Sequence, residues 1–377
     1  MTLRPSMEVP YQSSQRVDQI IASLGRTEDV RFSPSGLRLA VAAFARNRIA
    51  VFDVEISASS AEPHIALTAA AELSSPALNR PHGVDFLDEE TLIVANREGG
   101  VAIFRLPAGN VREEWEILPI ETWPAGGTAV LQSPGSVRVA GTQHGVCEVL
   151  ICNNSGPTVT RHLLDGRAGR RLRSSEIFLG KWLAIPDGVA VSSDRRWVAV
   201  SNHETHSVLL YQRRPRLTAD SDPDGILRRV AYPHGLQFSA DGYHLFVADG
   251  GAPYVHVYAS DVGDWHGVRK PLASIRIMDQ ARFARGQHYH HEGGPKGLDI
   301  DASSRILVVT CESLPLAFFN ARVMLEGYAP EPQDQTLDLQ HELMLMEQKG
   351  ALINADLLRS KSWRLTAPLR RLNSLWR

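Results

Sequence analysis

The chain is poor in cysteine: only Cys147, Cys152 and Cys311 occur in its 377 residues. None stands in a Cys-x-x-Cys pair, which excludes a disulfide framework and argues against a thiolate zinc site; a reducing compartment is the simpler setting. Neither sign of charge dominates. Lys and Arg number 40 against 42 Asp and Glu, a net charge of −2, so the basic excess of a nucleic-acid-binding domain is missing. Long apolar runs are absent too, since no stretch approaches the roughly 18 residues of a membrane span. The opening MTLRPSMEVPYQSSQRVDQ carries no apolar core of a secretory signal. The expected location is therefore the cytoplasm. No G-x-S-x-G elbow, P-loop or G-x-G-x-x-G after a strand is present, and no nucleotide cofactor is expected.

What the chain does have is enough apolar residues, 43%, to bury a large core, and an internal repeat. Six segments share one grammar: 27–44, 80–96, 125–142, 185–202, 232–249 and 294–311. Each holds a turn, a short apolar strand, a polar turn and a second β-rich strand. Ser-Pro-Ser-Gly, Ser-Pro-Gly and Ser-Ala-Asp-Gly supply the reversals. A third strand (RIAVFDV, GVAIFRL, GVCEVLIC, VLLYQ, YVHVYAS, LAFF) follows. In most units a weaker fourth comes after it (ALTAAAEL, WEILPIETW, TVTRHLL, ILRRVAY, LASIRIM). Four antiparallel strands repeated radially predict an all-β, six-bladed β-propeller. The sixth unit lacks a fourth strand, and residues 17–24 (VDQIIASL) have strand composition. They are predicted to close the ring as the outer strand of the last blade, which would remove an exposed edge. The organisation predicted is an extension over 1–16, the propeller over 17–320 and a tail over 321–377.

The phrases PHGLQFSADGYHLFVAD and IPDGVAVSSDRRWVAVSN resemble the YVTN/lactonase-like group of bacterial propellers over roughly 17–320. That group contains lactone hydrolases and binding proteins. In blade number the six-bladed regucalcin/gluconolactonase group is the nearer match. The resemblance to it implies a divalent cation held by a first-blade Glu with Asn and Asp from later inner strands, and the Asn part of that pattern does not recur at matching positions.

In the tail, residues 331–348 are acidic and apolar, and a helix is predicted over about 336–366. From Arg359 onward come six basic residues and no acid, with Trp363 and Trp376 among leucines. Such a segment can lie on an anionic membrane or dock a protein partner, or pack on the propeller itself. SKSWRLTAPLRRL (360–372) resembles a tail element of bacterial glycosyltransferases from surface-polysaccharide loci. The resemblance implies a setting in cell-envelope glycan assembly, and the basic segment would make the chain peripheral to the inner membrane.

Chemistry is expected where the inner strands begin. The residue before each anchor would recur around one ring: Glu28, His82, Gly126, Asp187, His234 and Lys296. Glu28, His82, Asp187 and His234 could ligate a divalent metal ion, and this mixture suits zinc, manganese or iron. The loops after the second strands would add Asn96, Arg97, His144, His203, Glu204, His206 and Asp249, and GQHYHHEGG would add His288, His290, His291 and Glu292. Pro-His-Gly before a strand also has a purely structural use, because Pro fixes φ and Gly permits close approach. Two functions follow. The first is a module binding a polar, carbohydrate-like ligand through Asn96, Arg97, His144, Asp249, Lys296, His288 and His290. The alternative is a metal-dependent lactonase or esterase in which His203 or Glu204 takes the proton and Lys296 or Arg97 stabilises the oxyanion.

Overall fold

A computed structural model of the chain describes residues 7–326, apart from 58–62, 109–113, 128–129, 167–169, 214–216 and 288–290. The tail readings over 331–377 and the readings of His288 and His290 lie outside the described residues.

Six sheets follow one another along the chain. Blade one is built from Thr27–Phe32, Arg38–Ala43, Arg48–Ser57 and His64–Ser74. Blade two uses Pro81–Asp88, Thr91–Asn96, Val101–Arg105 and Glu121–Trp123. Blade three uses Pro134–Gln143, Val146–Asn153, Thr158–Asp165 and Leu172–Leu179. Blade four uses Pro186–Val191, Trp197–Asn202, Ser207–Gln212 and Gly225–Leu227, and blade five Pro233–Phe238, His244–Asp249, Tyr254–Ala259 and Ala273–Arg276. Blade six contributes Gly297–Ile300, Ile306–Cys311 and Leu314–Asn320. Each inner strand packs beside that of the next blade, and the sixth beside the first, so the ring closes.

Packing explains the sequence pattern. The second strands of blades two, four and six are buried at every residue. Both faces lie against other blades, so these strands read as continuous apolar runs. Outer strands such as Ala273–Arg276 alternate buried and exposed residues. Among the described residues, the buried apolar side chains form six clusters. Each draws on two neighbouring blades, the last joining Ile306, Val308 and Phe318 of blade six to Val41 and Phe52 of blade one.

The chain's beginning does close the ring, through a different segment from the one predicted. Glu8 and Val9 pair antiparallel with Phe319 and Phe318 of blade six. Three residues on, Tyr11–Ser13 pairs parallel with Ile65–Leu67 on the outer strand of blade one. The extension thus clasps two neighbouring blades. The predicted strand over 17–24 is instead mostly the helix Gln15–Ser23. Ser14 caps it by accepting from the Val17 amide at 3.4 Å. Val17, Ile21 and Leu24, at helical spacing, are buried in the cluster between blades six and one.

Blade three is displaced from its predicted register. SVRVAGT is its inner strand, GVCEVLIC its second and TVTRHLL its third; the fourth, Leu172–Leu179, lies beyond every strand predicted for this unit. Ser-Pro-Gly, read as a hairpin turn, leads into the inner strand instead. WEILPIETW is also divided: Trp115–Glu116 joins blade one in parallel, and Glu121–Trp123 completes blade two.

Candidate functional site

Glycines set the inner strands close around the axis. A Cβ on Gly83 would lie 2.4 Å from the Gly135 carbonyl oxygen, and one on Gly297 would lie 2.6 Å from the Asp29 Cα. The neighbours of Gly83 and Gly235 correspond, Ser136 matching Gly297, so blade three's ring position belongs to Gly135 and not to the predicted Gly126.

A side-chain clamp confirms this register. Where four second strands end, an Asn or Asp accepts from the backbone N–H three residues before the ring position. Asn96 Oδ1 takes Asn79 at 2.9 Å, Asn153 Oδ1 takes Gln132 at 2.8 Å, Asn202 Oδ1 takes Ala184 at 2.6 Å and Asp249 Oδ2 takes Ala231 at 2.8 Å. Asp249 also accepts from the Tyr232 and Gly251 amides and from His256. Asn96 and Asp249, expected to meet a ligand, spend their polar groups on these loops. His144 occupies the hairpin between the first and second strands of blade three, at the end opposite the ring, because the register moved.

The other expectations converge. Glu28, His82, Asp187, His234 and Lys296 are all buried at the mouth. The His234 Nδ1 meets Asp187 Oδ2, and Asp187 Oδ1 also accepts from Arg97 Nη2 at 3.3 Å and Asn154 Nδ2 at 3.2 Å. Lys296 Nζ lies 2.7 Å from Glu292 Oε2 and 3.5 Å from Glu28 Oε2, and Arg26 Nε pairs with Glu28 Oε1. His203 Nε2 is 2.9 Å from Glu292 Oε1. His206 binds the Ala231 carbonyl through Nδ1, and Glu204 is exposed on the turn His203–Thr205. Half-buried aromatics flank the cluster: Phe44 meets His82 edge-on at 6.0 Å, and Tyr232 lies 4.8 Å from His203.

The charges are set by these neighbours. Burial would raise the Glu28 carboxyl, but Lys296 and Arg26 hold it at about 2. Asp187 lies well below its ordinary value, with His234 and Arg97 overcoming burial. Glu292 is likewise pushed far down, against burial, by His234, His203 and Lys296. Burial and then Arg97 lower His82 to about 3, so this imidazole is neutral. Its Nε2 lies 3.5 Å from Glu28 and 3.9 Å from Asp187, polar contacts and not ion pairs; it accepts from Arg97 Nη2 at 2.5 Å. His234 goes the other way, to about 9, because Asp187 and Glu292 outweigh burial. Lys296 is raised by Glu28 and Glu292 against burial.

Of the four expected metal ligands, then, Glu28 is paired with Arg26 and Lys296, and His82 and Asp187 both meet Arg97. Among the described residues, only His234 of the four belongs to a set whose ligand atoms gather: His203, His234 and Glu292, all within 4.8 Å of one another. Sequence reading placed His203 as a base and left Glu292 in a histidine-rich loop. It missed Asn154, which follows a clamp residue just as Arg97 follows Asn96. That offset is the signal for it.

Below the ring the channel is filled. Arg31 donates to the Leu298 carbonyl at 2.8 Å and lies 3.6 Å from Asp29 and 3.8 Å from Asp299. Asp29 Oδ2 accepts from the Val84 amide, Asp85 Oδ2 from Val139 and Asp299 Oδ2 from Phe32. Burial lifts Asp29 to about 7 although Arg31 opposes it.

No helix among the described residues is long and apolar enough to cross a membrane. No family model matches the sequence, and no curated protein matches it. Solved structures do. A functionally unknown protein from Desulfotomaculum acetoxidans DSM 771 has a TM-score of 0.50 at 14% identity, over 78% of this chain and 83% of its own. A luciferin-regenerating enzyme has a TM-score of 0.52 at 13% identity, over 79% and 92%. At these identities the likeness is one of fold: the chain is a six-bladed β-propeller, and neither neighbour carries an activity over to it.

Proposed function

We propose that the chain is a binding module of lactonase-like type whose mouth takes a polar, carbohydrate-like small molecule. The observation that carries this reading is the convergence of buried titratable side chains from five of the six blades, with Asn154 supplied by the other. Fixed donors (Arg97, Lys296, Arg26) alternate with fixed acceptors (Glu28, Asp187, Glu292), which suits a ligand dense in hydroxyls or carrying a carboxylate. Tyr232 and Phe44 offer apolar faces beside them. Titration of the full-length protein with neutral sugars, sugar acids and their lactones tests this by calorimetry. Binding weakened at least tenfold by Arg97→Ala is expected; no heat from any of the panel would sink the reading.

A second reading, lactone or ester hydrolysis, is favoured by one contact. His203, held 2.9 Å from Glu292, could take a proton from water while Lys296 and Arg26 face the developing oxyanion. Hydrolysis of a sugar lactone, followed by pH-stat and abolished in His203→Ala, separates an enzyme from a binding module.

The setting proposed is cell-surface polysaccharide assembly in bacteria, on the resemblance of 360–372. Its basic, Trp-containing composition supports docking of the tail on an anionic inner-membrane surface or a protein partner. Removing 331–377 is expected to release the chain from membrane or partner fractions while leaving the propeller's thermal transition in place. Unchanged fractionation would end the tether proposal.

A further inference from the structure

We propose that His203 Nε2, His234 Nε2 and Glu292 hold a single divalent cation of the zinc type, and that Asp187 is the positioning residue that aims His234 at it. This goes beyond the ligand-binding reading, because the cation would bind with no organic molecule present.

Three observations carry it. The donor atoms already gather: one ligand atom from each of His203, His234 and Glu292 lies within 4.8 Å of the others, His203 Nε2 is 2.9 Å from Glu292 Oε1, and the imidazoles meet edge-on at 5.0 Å. Ligands at about 2.0–2.2 Å from one tetrahedral zinc sit roughly 3–3.5 Å apart, so little movement is needed. Next, His234 is only 5% exposed, and its Nε2 makes no hydrogen bond but faces Glu292 Oε2 at 3.4 Å, a gap that one bound ion would bridge. Finally, Asp187 holds the Nδ1 of the same ring, the carboxylate–histidine arrangement that orients a metal-binding imidazole.

The donor chemistry narrows the ion. Two imidazoles and one carboxylate match a three-ligand zinc site with an open position, whereas calcium takes six to eight oxygens. Lys296 Nζ, 2.7 Å from Glu292 Oε2, occupies that oxygen and leaves Oε1, beside His203, as the ligand atom. On this assignment His203 is a ligand and not a base. Metal-free lactone hydrolysis through His203 and zinc ligation by it therefore exclude each other.

The test uses the full-length protein without a polyhistidine tag, stripped with chelator and titrated with Zn2+ alone by calorimetry, with cobalt absorption reporting coordination. One ion per chain is expected. His203→Ala and Glu292→Gln should each weaken uptake at least tenfold, and Asp187→Asn about 10–100-fold, with the thermal transition retained. His144→Ala, at the other end of the blades, should bind as the wild type does. If His234→Ala does not fold, the His203 and Glu292 variants still decide. Absence of stoichiometric zinc would overturn the proposal, as would uptake that survives both variants or that depends instead on Glu28 and His82. Because the titration contains no sugar, its failure leaves the ligand-binding reading standing.

Discussion

A Cβ placed on Gly135 would lie 2.5 Å from Asn154 Oδ1, the side chain that fills blade three's place in the ring. The absent side chain at one position makes room for the amide at another, and that amide donates to Asp187 at 3.2 Å. Gly135→Ala is expected to push Asn154 aside and to destabilise by about 1–3 kcal/mol through overpacking. Urea unfolding measures it. Asn154→Ala combined with Gly135→Ala should recover part of the loss; two fully additive costs would refute the steric link.

Asn96 and Asp249 behave as clamps in the structure, so their removal should act on stability. Asn96→Ala leaves the Asn79 amide, on an exposed loop, without its acceptor and is expected to cost about 0.5–1.5 kcal/mol. Asp249→Ala should cost more, since three amides and His256 lose one partner together. Chemical denaturation gives the values. Weakened ligand binding at unchanged stability would return both residues to the ligand's side.

Two carboxylates give opposite pH signatures. Glu28 sits at about 2 against an ordinary 4.5. Its contribution is whole above that ordinary value and drains away as pH falls through about 2, so Glu28→Gln should flatten the acid limb. Asp29, raised to about 7 from 3.8, keeps its proton in the folded state. Stability therefore falls as pH rises between those two values, and Asp29→Asn should escape that fall. Urea midpoints for wild type and Asp29→Asn across this window check the sign; parallel curves would contradict it.

The clasp predicts a different failure. Val9 is buried against blade six, and Val9→Ala should cost about 2 kcal/mol for the lost apolar burial. Deleting residues 1–13 strips partners from the outer strands of blades six and one together. Exposed edges invite pairing between molecules, so light scattering should detect association that the full chain does not show.

Much of this architecture was legible beforehand. The six-fold repeat, the ring at the inner-strand starts and closure from the chain's beginning all rest on local chemistry: turn residues, β-rich runs and a recurring tripeptide. The reading failed where local chemistry is ambiguous. In blade three, AGGTAV and SVRVAGT fit the grammar equally well, and the close approach of Gly83 to Gly135 and the Gln132 amide donated to Asn153 choose between them. VDQIIASL has strand composition, yet Ser14 caps it and Val17, Ile21 and Leu24 share one helical face against the core. Which side chains are free to act was out of reach for a related reason: Arg97 and Lys296 reach residues distant in sequence, and their pairing decides which carboxylates and imidazoles remain available.

Composition and periodicity were enough to specify blades, their number and the residue types facing the axis, because each of these depends on neighbours a few positions away. Which histidine faces Glu292, which carboxylate is taken by an arginine, and which segment seals the last blade were decided in three dimensions. These pairings join residues from different blades, and their energies depend on burial and approach that no single stretch of chain encodes.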